Sequence, residues 1–502
     1  MKSFIIKLST SVKSEIIGVI LVLSLTFISN SWVLDARNGF VFDDYTYMYR
    51  FEFSNIAERL SIIPKAQYND RPVGELFLHT LFEIFGNNNV GHHFVLLGVH
   101  LLNTFFVYLL CKKLYDLFAI NSLITPLLNA AVFGLWPKSV MCVQWDAAIF
   151  DLLGATFILI CLNLYLSTIL SKRYFEFNSI FLVVFYFTAL RTKEMTILIP
   201  VIILLFDILY HLFKQGFSIQ ALRNFKINKL LILLNTLMVL YTALIMVLGR
   251  ENKITADVNG PYFYTFKLDV IFQNFLRYLS MYFDYTNFQF GFTGFNFISY
   301  FAIGLFVIGL VYSIYLAGKE DYLLLWMYIG FAMTLSPVLP MKNMQHILYL
   351  YIPSIFLAFI ISFLISKIVG IQKFQFRHSQ TGVLIVALLL LWLLTIIPSV
   401  KNFRSWWLQI GQNNQQTIND LKQLPKPEKN TTLYVTDVDD SSNAFYYGPG
   451  FIVKIIFDDP TITTVINPQE IDRTVPYLVL KYDNARVTLV EKNKPVQNKT
   501  SP

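Results

Sequence analysis

Long apolar runs, separated by short basic or aromatic segments, set the pattern of this chain. They lie near 15–34, 92–111, 121–137, 147–170, 178–190, 194–213, 229–249, 296–317, 321–339, 347–366 and 381–398. Most are about 18–22 residues long, enough for a helix to cross roughly 30 Å of hydrocarbon, where an open sheet would leave its backbone unsatisfied. The pattern predicts an all-α polytopic membrane protein with about eleven transmembrane helices. The run at 178–190 is short and ends at Arg191-Thr192-Lys193-Glu194, so it reads either as a tight turn in the headgroup layer or as a re-entrant hairpin.

After Pro398 the pattern turns polar. A helix is predicted over 406–424, then strands over 433–436, 451–457, 461–466, 477–481 and 486–490, separated by Asn, Asp, Gly and Pro. The expected organisation is a transmembrane domain over 1–400, with a first loop at 35–90, then a small α/β domain over 401–492 and a disordered tail over 493–502. No internal repeat of solenoid period is visible.

Composition narrows the class further. Of the 502 residues, 55% are hydrophobic and 14% charged, which excludes a single soluble domain. The net charge of +8 would suit nucleic acid in a soluble protein. Here the cations sit between runs, where the bias of cytoplasmic loops explains them and no nucleic-acid partner is implied. Lys2, Lys7 and Lys13 precede the first run, which reads as a retained span and puts the N-terminus in the cytoplasm. Every second loop is then basic, from Lys112-Lys113 to Lys367, Lys373 and Arg377. This topology expects an extracytoplasmic C-terminal domain, in a bacterial inner or plasma membrane. Cys111, Cys142 and Cys161 lie in or beside apolar runs, without disulfide or zinc spacing.

The same topology collects five segments on one face: the first loop, 136–146, 191–194, 250–295 and 340–345. The first loop carries Phe42-Asp43-Asp44-Tyr45 and then Asp70-Arg71-Pro72. Adjacent carboxylates at a membrane edge either mark a helix end in water or serve as base and positioning group for an acceptor hydroxyl. The sequence leaves a metal requirement open; if there is one, these are the carboxylates that could hold Mg²⁺ or Mn²⁺. Arg71 either clamps a phosphate or snorkels to headgroups. His100 and Asn103 share a helix face, as interhelical glue or as site residues. Lys193 and Glu194 form either a local ion pair or a phosphate and acceptor site. Asp146 is a minor candidate, while His79, His92 and His93 lack metal spacing and read as packing or headgroup contacts. The aromatic stretch 262–285 reads as an interfacial helix, with a gate for a prenyl chain as the other reading.

With these residues in view, the chain resembles the GT-C superfamily of polytopic glycosyltransferases. It is most similar to bacterial relatives of the transmembrane and tetratricopeptide O-mannosyltransferases, though without the repeats. The resemblance covers about 15–215. It rests on the Asp43-Asp44 pair, Arg71-Pro72, Gly86-Asn87, His100 with Asn103, Trp136-Pro137-Lys138-Ser139 through Asp151 to Gly154, and Lys193-Glu194 through Asp207; Tyr349-Leu350-Tyr351-Ile352-Pro353-Ser354 adds to it later. It implies transfer of a sugar from a polyprenyl-phosphate donor to a glycan, lipid or protein acceptor, with inversion. Asp44 or Asp43 would be the base, Arg71, Lys193 and His346 would meet the donor phosphate or lipid, and Glu194, His100 and Asn103 would support them. His346 is a departure, because the relatives lead one to expect an arginine near that place. Two rival classes remain: a ligase or polymerase acting on diphosphate-linked oligosaccharides, and a transporter or flippase.

Overall fold

The computed structural model describes residues 2–55, 71–120, 122, 124–171, 177–248, 258–260, 262–283, 292–368, 379–438, 444–445 and 450–493. The chain is a multi-pass helical membrane protein with a small C-terminal sheet. Among the described residues, five helices are long and apolar enough to span a bilayer: Lys13–Leu34, Asn89–Leu117, Asp146–Ser171, Glu194–Gln215 and Phe297–Ala317. A sixth candidate is the pair Ile124–Gly134 and Pro137–Gln144, bent by 48° at Leu135-Trp136. Shorter apolar helices occupy Phe177–Leu190, Lys229–Ile245, Leu323–Val338 and Ser354–Ile368. Each expected run coincides with one of these or with the first part of a long helix, Ser379–Gln423.

In chain order the helices that matter below are α1 (Lys2–Asn30), α2 (Asp44–Phe53), α3 (Pro72–Phe85) and α4 (Asn89–Leu117). Next come α5 (Ile124–Gly134), α6 (Ile149–Ser171), α7 (Ile199–Gln215), α8 (Leu268–Phe283), α9 (Ser354–Ile368) and α10 (Ser379–Gln423). Pro72 and Pro200 stand at the first turns of α3 and α7, where a missing N–H costs nothing. The centre is α4 against α6. There the buried Asn103 donates to the Leu152 carbonyl at 3.0 Å, tying the two helices within an otherwise apolar interface. Lipid-facing positions such as Phe297, Val311 and Phe177 stay exposed.

Two sequence expectations change here. The helix expected over 406–424 is continuous with the run before it, so α10 carries the chain directly from the apolar part into the C-terminal unit. The strand expected at 451–457 is instead the helix α11, Phe451–Phe457. Its β-branched residues read as a strand, but β1 (Thr432–Thr436) runs parallel to β2 (Thr463–Ile466). A parallel pair needs a crossover rather than a hairpin, and α11 supplies it, burying Ile452, Val453 and Phe457 on one face. β3 (Tyr477–Asp483) and β4 (Arg486–Asn493) complete the sheet in the order β2-β1-β3-β4. Their tight turn puts Asn484 and Ala485 in the left-handed region that a two-residue hairpin requires. Asp420 of α10 seats this hairpin, accepting from the Val487 amide at 2.9 Å. The tail at 494–502 and Asp70 of the first loop lie outside the described residues.

Candidate functional site

The loop before α2 is built around a reversal at Phe42. This residue has φ of +52°, a conformation costly for a bulky side chain and held only by its surroundings. Its ring is wedged between Trp145, at 5.7 Å, and Trp407, at 5.8 Å. The reversal sends the two following aspartates in opposite directions.

Asp44 points inward and is 1% exposed. One carboxylate oxygen accepts from the Val41 amide at 2.9 Å and the other from the Ala147 amide at 3.0 Å. Burial and the nearby Asp146 hold its carboxyl well above the usual range, and the two amides only partly offset this. Asp146 is itself engaged, accepting from His92 Nδ1 at 2.5 Å, while His92 Nε2 faces the Gly86 carbonyl at 3.0 Å. His93 Nδ1 meets the Val33 carbonyl at 3.0 Å. The two histidines expected to pack or meet headgroups thus help form a buried floor beneath the loop.

Asp43 remains open to solvent while protein surrounds it on most sides, as expected of a group at the floor of a cleft. That enclosure raises its pKa above the usual carboxylate value, and the charges of Arg50 and Arg71 pull it partly back. Arg50 is paired with Glu75 at 2.7 Å. Arg71, just ahead of α3, lies 2.8 Å from Glu194 and places its guanidinium 5.2 Å from the Phe150 ring centroid. Lys193 is only 3% exposed. It donates to Asp151 at 2.9 Å, lies 3.7 Å from Glu194, and sits 5.1 Å from the Tyr349 ring centroid. Gly154 permits this approach, since a Cβ there would stand 3.0 Å from Lys193 Cβ. Arg71, Glu194, Lys193 and Asp151 therefore form one unbroken chain of ion pairs. Tyr47 and Tyr262 share the electrostatic surroundings of Arg71 and Asp43.

The five segments expected on one face do meet. Lys138 donates to the Met281 carbonyl at the end of α8, and Trp136 stacks on Tyr282 at 4.7 Å. Asn274 donates to the Leu339 and Met341 carbonyls at 2.8 Å each, and the Arg191 carbonyl accepts from Val73 at 3.3 Å. The aromatic stretch gives the amphipathic helix α8.

His100 and Asn103 are elsewhere, in the helical core. His100 Nδ1 lies 2.7 Å from the Tyr351 hydroxyl and Nε2 3.1 Å from the Gly134 carbonyl. Asn103 reaches the same hydroxyl at 3.3 Å and accepts from Thr156 at 2.7 Å. Their polar atoms are used in holding α4, α5, α6 and the segment before α9 together. His346 is buried, 5.8 Å from Trp145, with Nδ1 accepting from the Leu348 amide at 3.1 Å. Burial, with Lys193 adding to it, pushes its pKa down to about 3, so its ring is neutral and offers no cation to a phosphate.

The adjacent aspartates do not make a chelating pair. Asp44 has both oxygens on backbone amides and faces away from Asp43, and among the described residues no group of three His, Cys, Asp or Glu side chains is arranged to hold a metal ion. The diverging side chains of Asp43 and Asp44 are thus not arranged to hold Mg²⁺ or Mn²⁺ between them. Asp151 was not singled out as the partner of Lys193. An acid near the end of an apolar run demands a cationic neighbour, and that was the available signal.

The fold and site define a multi-pass membrane protein in which the open carboxylate of Asp43 lies near a chain of ion pairs set among aromatic rings. No protein-family model matches the chain, and no curated protein matches it. Among solved structures it is similar to an oligosaccharyltransferase of Archaeoglobus fulgidus, at 13% identity and TM-score 0.48, over 91% of this chain and 65% of that one. It is also similar to ArnT of Cupriavidus metallidurans bound to undecaprenyl phosphate, at 11% identity and TM-score 0.46, over 92% of each chain. Neither likeness assigns a residue or a reaction to this chain.

Proposed function

We propose that the chain is a membrane glycosyltransferase of GT-C type, transferring one sugar from a polyprenyl-phosphate donor to an acceptor hydroxyl on the extracytoplasmic side. The observation that carries this reading is the open carboxylate of Asp43 within electrostatic reach of Arg71, whose guanidinium is joined through Glu194 to the ammonium of Lys193. In the reaction the acceptor oxygen bonds to the anomeric carbon as the bond to the phosphate oxygen breaks. Asp43 takes the acceptor proton, and Arg71 with Lys193 meets the charge left on the polyprenyl phosphate. One displacement with one base inverts the anomeric centre. Asp44 holds the loop, Glu194 holds Arg71, and His100 with Asn103 fixes the helices behind.

The test is transfer from radiolabelled polyprenyl-phosphate sugars in membranes containing the full chain. Asp43→Asn is expected to lower the rate by about 10²–10⁴. Wild-type protein that moves solute without consuming the lipid-linked sugar would instead be a transporter. Activity only with diphosphate-linked oligosaccharides would make it a ligase or polymerase.

A further inference from the structure

The sheet and α11 contribute nothing to the cluster of charges in the cleft, yet the C-terminal unit lies directly against the Asp43 loop. Gly39 of that loop crosses α10 at Gly411 backbone to backbone; a Cβ on Gly411 would lie 2.5 Å from the Gly39 nitrogen. Asn414 donates to the Phe40 carbonyl at 3.3 Å, the same oxygen that accepts from the Tyr45 hydroxyl at 2.8 Å. Trp407, fully buried, backs the Phe42 ring. Arg404 lies 3.6 Å from Asp35 at the start of the loop. On the far side of Asp43, Tyr49 of α2 stacks on Phe451 of α11, 4.2 Å apart and 9° from parallel.

We propose that the C-terminal unit is a clamp that positions Asp43, acting through Trp407 against Phe42, Gly411 against Gly39, and Phe451 against Tyr49; its catalytic consequence rests on reading Asp43 as the base. A left-handed Phe does not hold itself, so the conformation that turns Asp43 outward needs external support, and α10 provides it. Arg71 and Lys193 take their partners from Glu194, Asp151, Phe150 and Tyr349, which belong to the membrane part. Loosening the clamp therefore displaces the base and leaves the cations where they are. A misplacement of about 1 Å costs on the order of 10² in rate.

The experiment compares full-length wild type with Trp407→Ala, Trp407→Phe and Gly411→Ala, with Trp406→Ala, whose side chain is more exposed, as control. For Trp407→Ala and Gly411→Ala, amide exchange across 36–47 is expected to quicken, kcat to fall by about tenfold to 10² and the donor KM to stay within about twofold. Trp407→Phe is expected to restore most of the rate, and Trp406→Ala to match wild type. Unchanged exchange over 36–47 overturns the clamp, as does a raised donor KM at constant kcat. Should no polyprenyl-phosphate sugar be transferred by wild type, the functional reading fails, while the exchange measurement still decides the clamp.

Discussion

Arg71 and Glu194 form the hinge of the cleft's electrostatics: their side chains meet at 2.8 Å, and the second Glu194 oxygen lies 3.7 Å from Lys193. Both cations proposed to receive the donor phosphate therefore already have a carboxylate neighbour. An incoming phosphate must share Arg71 with Glu194 or displace it, so Glu194 sets how tightly an anion is held. Glu194→Gln keeps the shape and removes the competing charge. Inhibition of transfer by free polyprenyl phosphate is expected to strengthen about three- to tenfold, corresponding to ~1 kcal/mol. A weaker inhibition would mean that Glu194 orients Arg71 for the phosphate and does not compete with it.

Asp151 has the opposite character. It is buried with Lys193, and Asp151→Asn leaves an ammonium that is 3% exposed beside a neutral amide. Breaking a buried pair by removing one partner costs about 3–5 kcal/mol. Thermal unfolding in detergent should show a lower Tm for Asp151→Asn than for Glu194→Gln; equal stability would place Lys193 in water and contradict the buried pair.

The two adjacent aspartates should separate cleanly. Asp43→Asn removes the base but breaks no hydrogen bond that the loop depends on, so activity is expected to collapse while Tm holds. Asp44→Ala strands the amides of Val41 and Ala147 in a buried place, at about 1–3 kcal/mol each, so Tm is expected to fall by several degrees. A stable, inactive Asp44→Ala beside an active Asp43→Asn would reverse the roles.

Their titration gives a pH signature. The raised pKa of Asp43 means that the base is ionised only above the ordinary carboxylate range, so kcat/KM should rise with pH through a value above 3.8 and be lost as pH falls through it. For stability the sign is reversed. An acid whose folded pKa is raised contributes stability that is full below the unfolded value and lost as pH rises through the folded one. Asp43→Asn should therefore be no less stable than wild type at neutral pH. His346, depressed from 6.5 to about 3, contributes stability present above 6.5 and lost as pH falls towards 3. His346→Gln should flatten that acid loss of Tm and leave the kcat/KM limb in place; a shift of the limb would assign it to His346.

Much of this was legible in the sequence because membrane helices announce themselves by length. Each apolar run found a helix, and the loops grouped by charge pattern are the ones that touch one another. What the pattern could not reveal depended on long-range partners. The opposite turns of Asp43 and Asp44 follow from the left-handed Phe42, held by Trp145 and Trp407, which are far apart in sequence. The closer pairing of Lys193 with Asp151, beyond its chain neighbour Glu194, depends on the close packing at Gly154. Phe451–Phe457 misled because a short run of β-branched residues has no period of its own, and only the parallel sheet required a helix there.

The network of His100, Asn103 and Tyr351 offers the sharpest distinction between holding a site and belonging to it. Since the Gly134 carbonyl faces His100 Nε2, that nitrogen carries the proton and Nδ1 accepts from the Tyr351 hydroxyl. The hydroxyl oxygen in turn accepts from Asn103, whose own oxygen accepts from Thr156. The Tyr351 hydroxyl thus both donates and accepts, and removing it unmakes two bonds at once. Tyr351→Phe leaves the His100 nitrogen buried without its donor, an expected loss of about 1–3 kcal/mol read as a lower Tm. The donor KM should stay at the wild-type value, because Arg71, Lys193 and Tyr349 keep their partners. A Tyr351→Phe protein with unchanged Tm and a raised donor KM would instead put His100 and Asn103 in contact with the lipid-linked sugar.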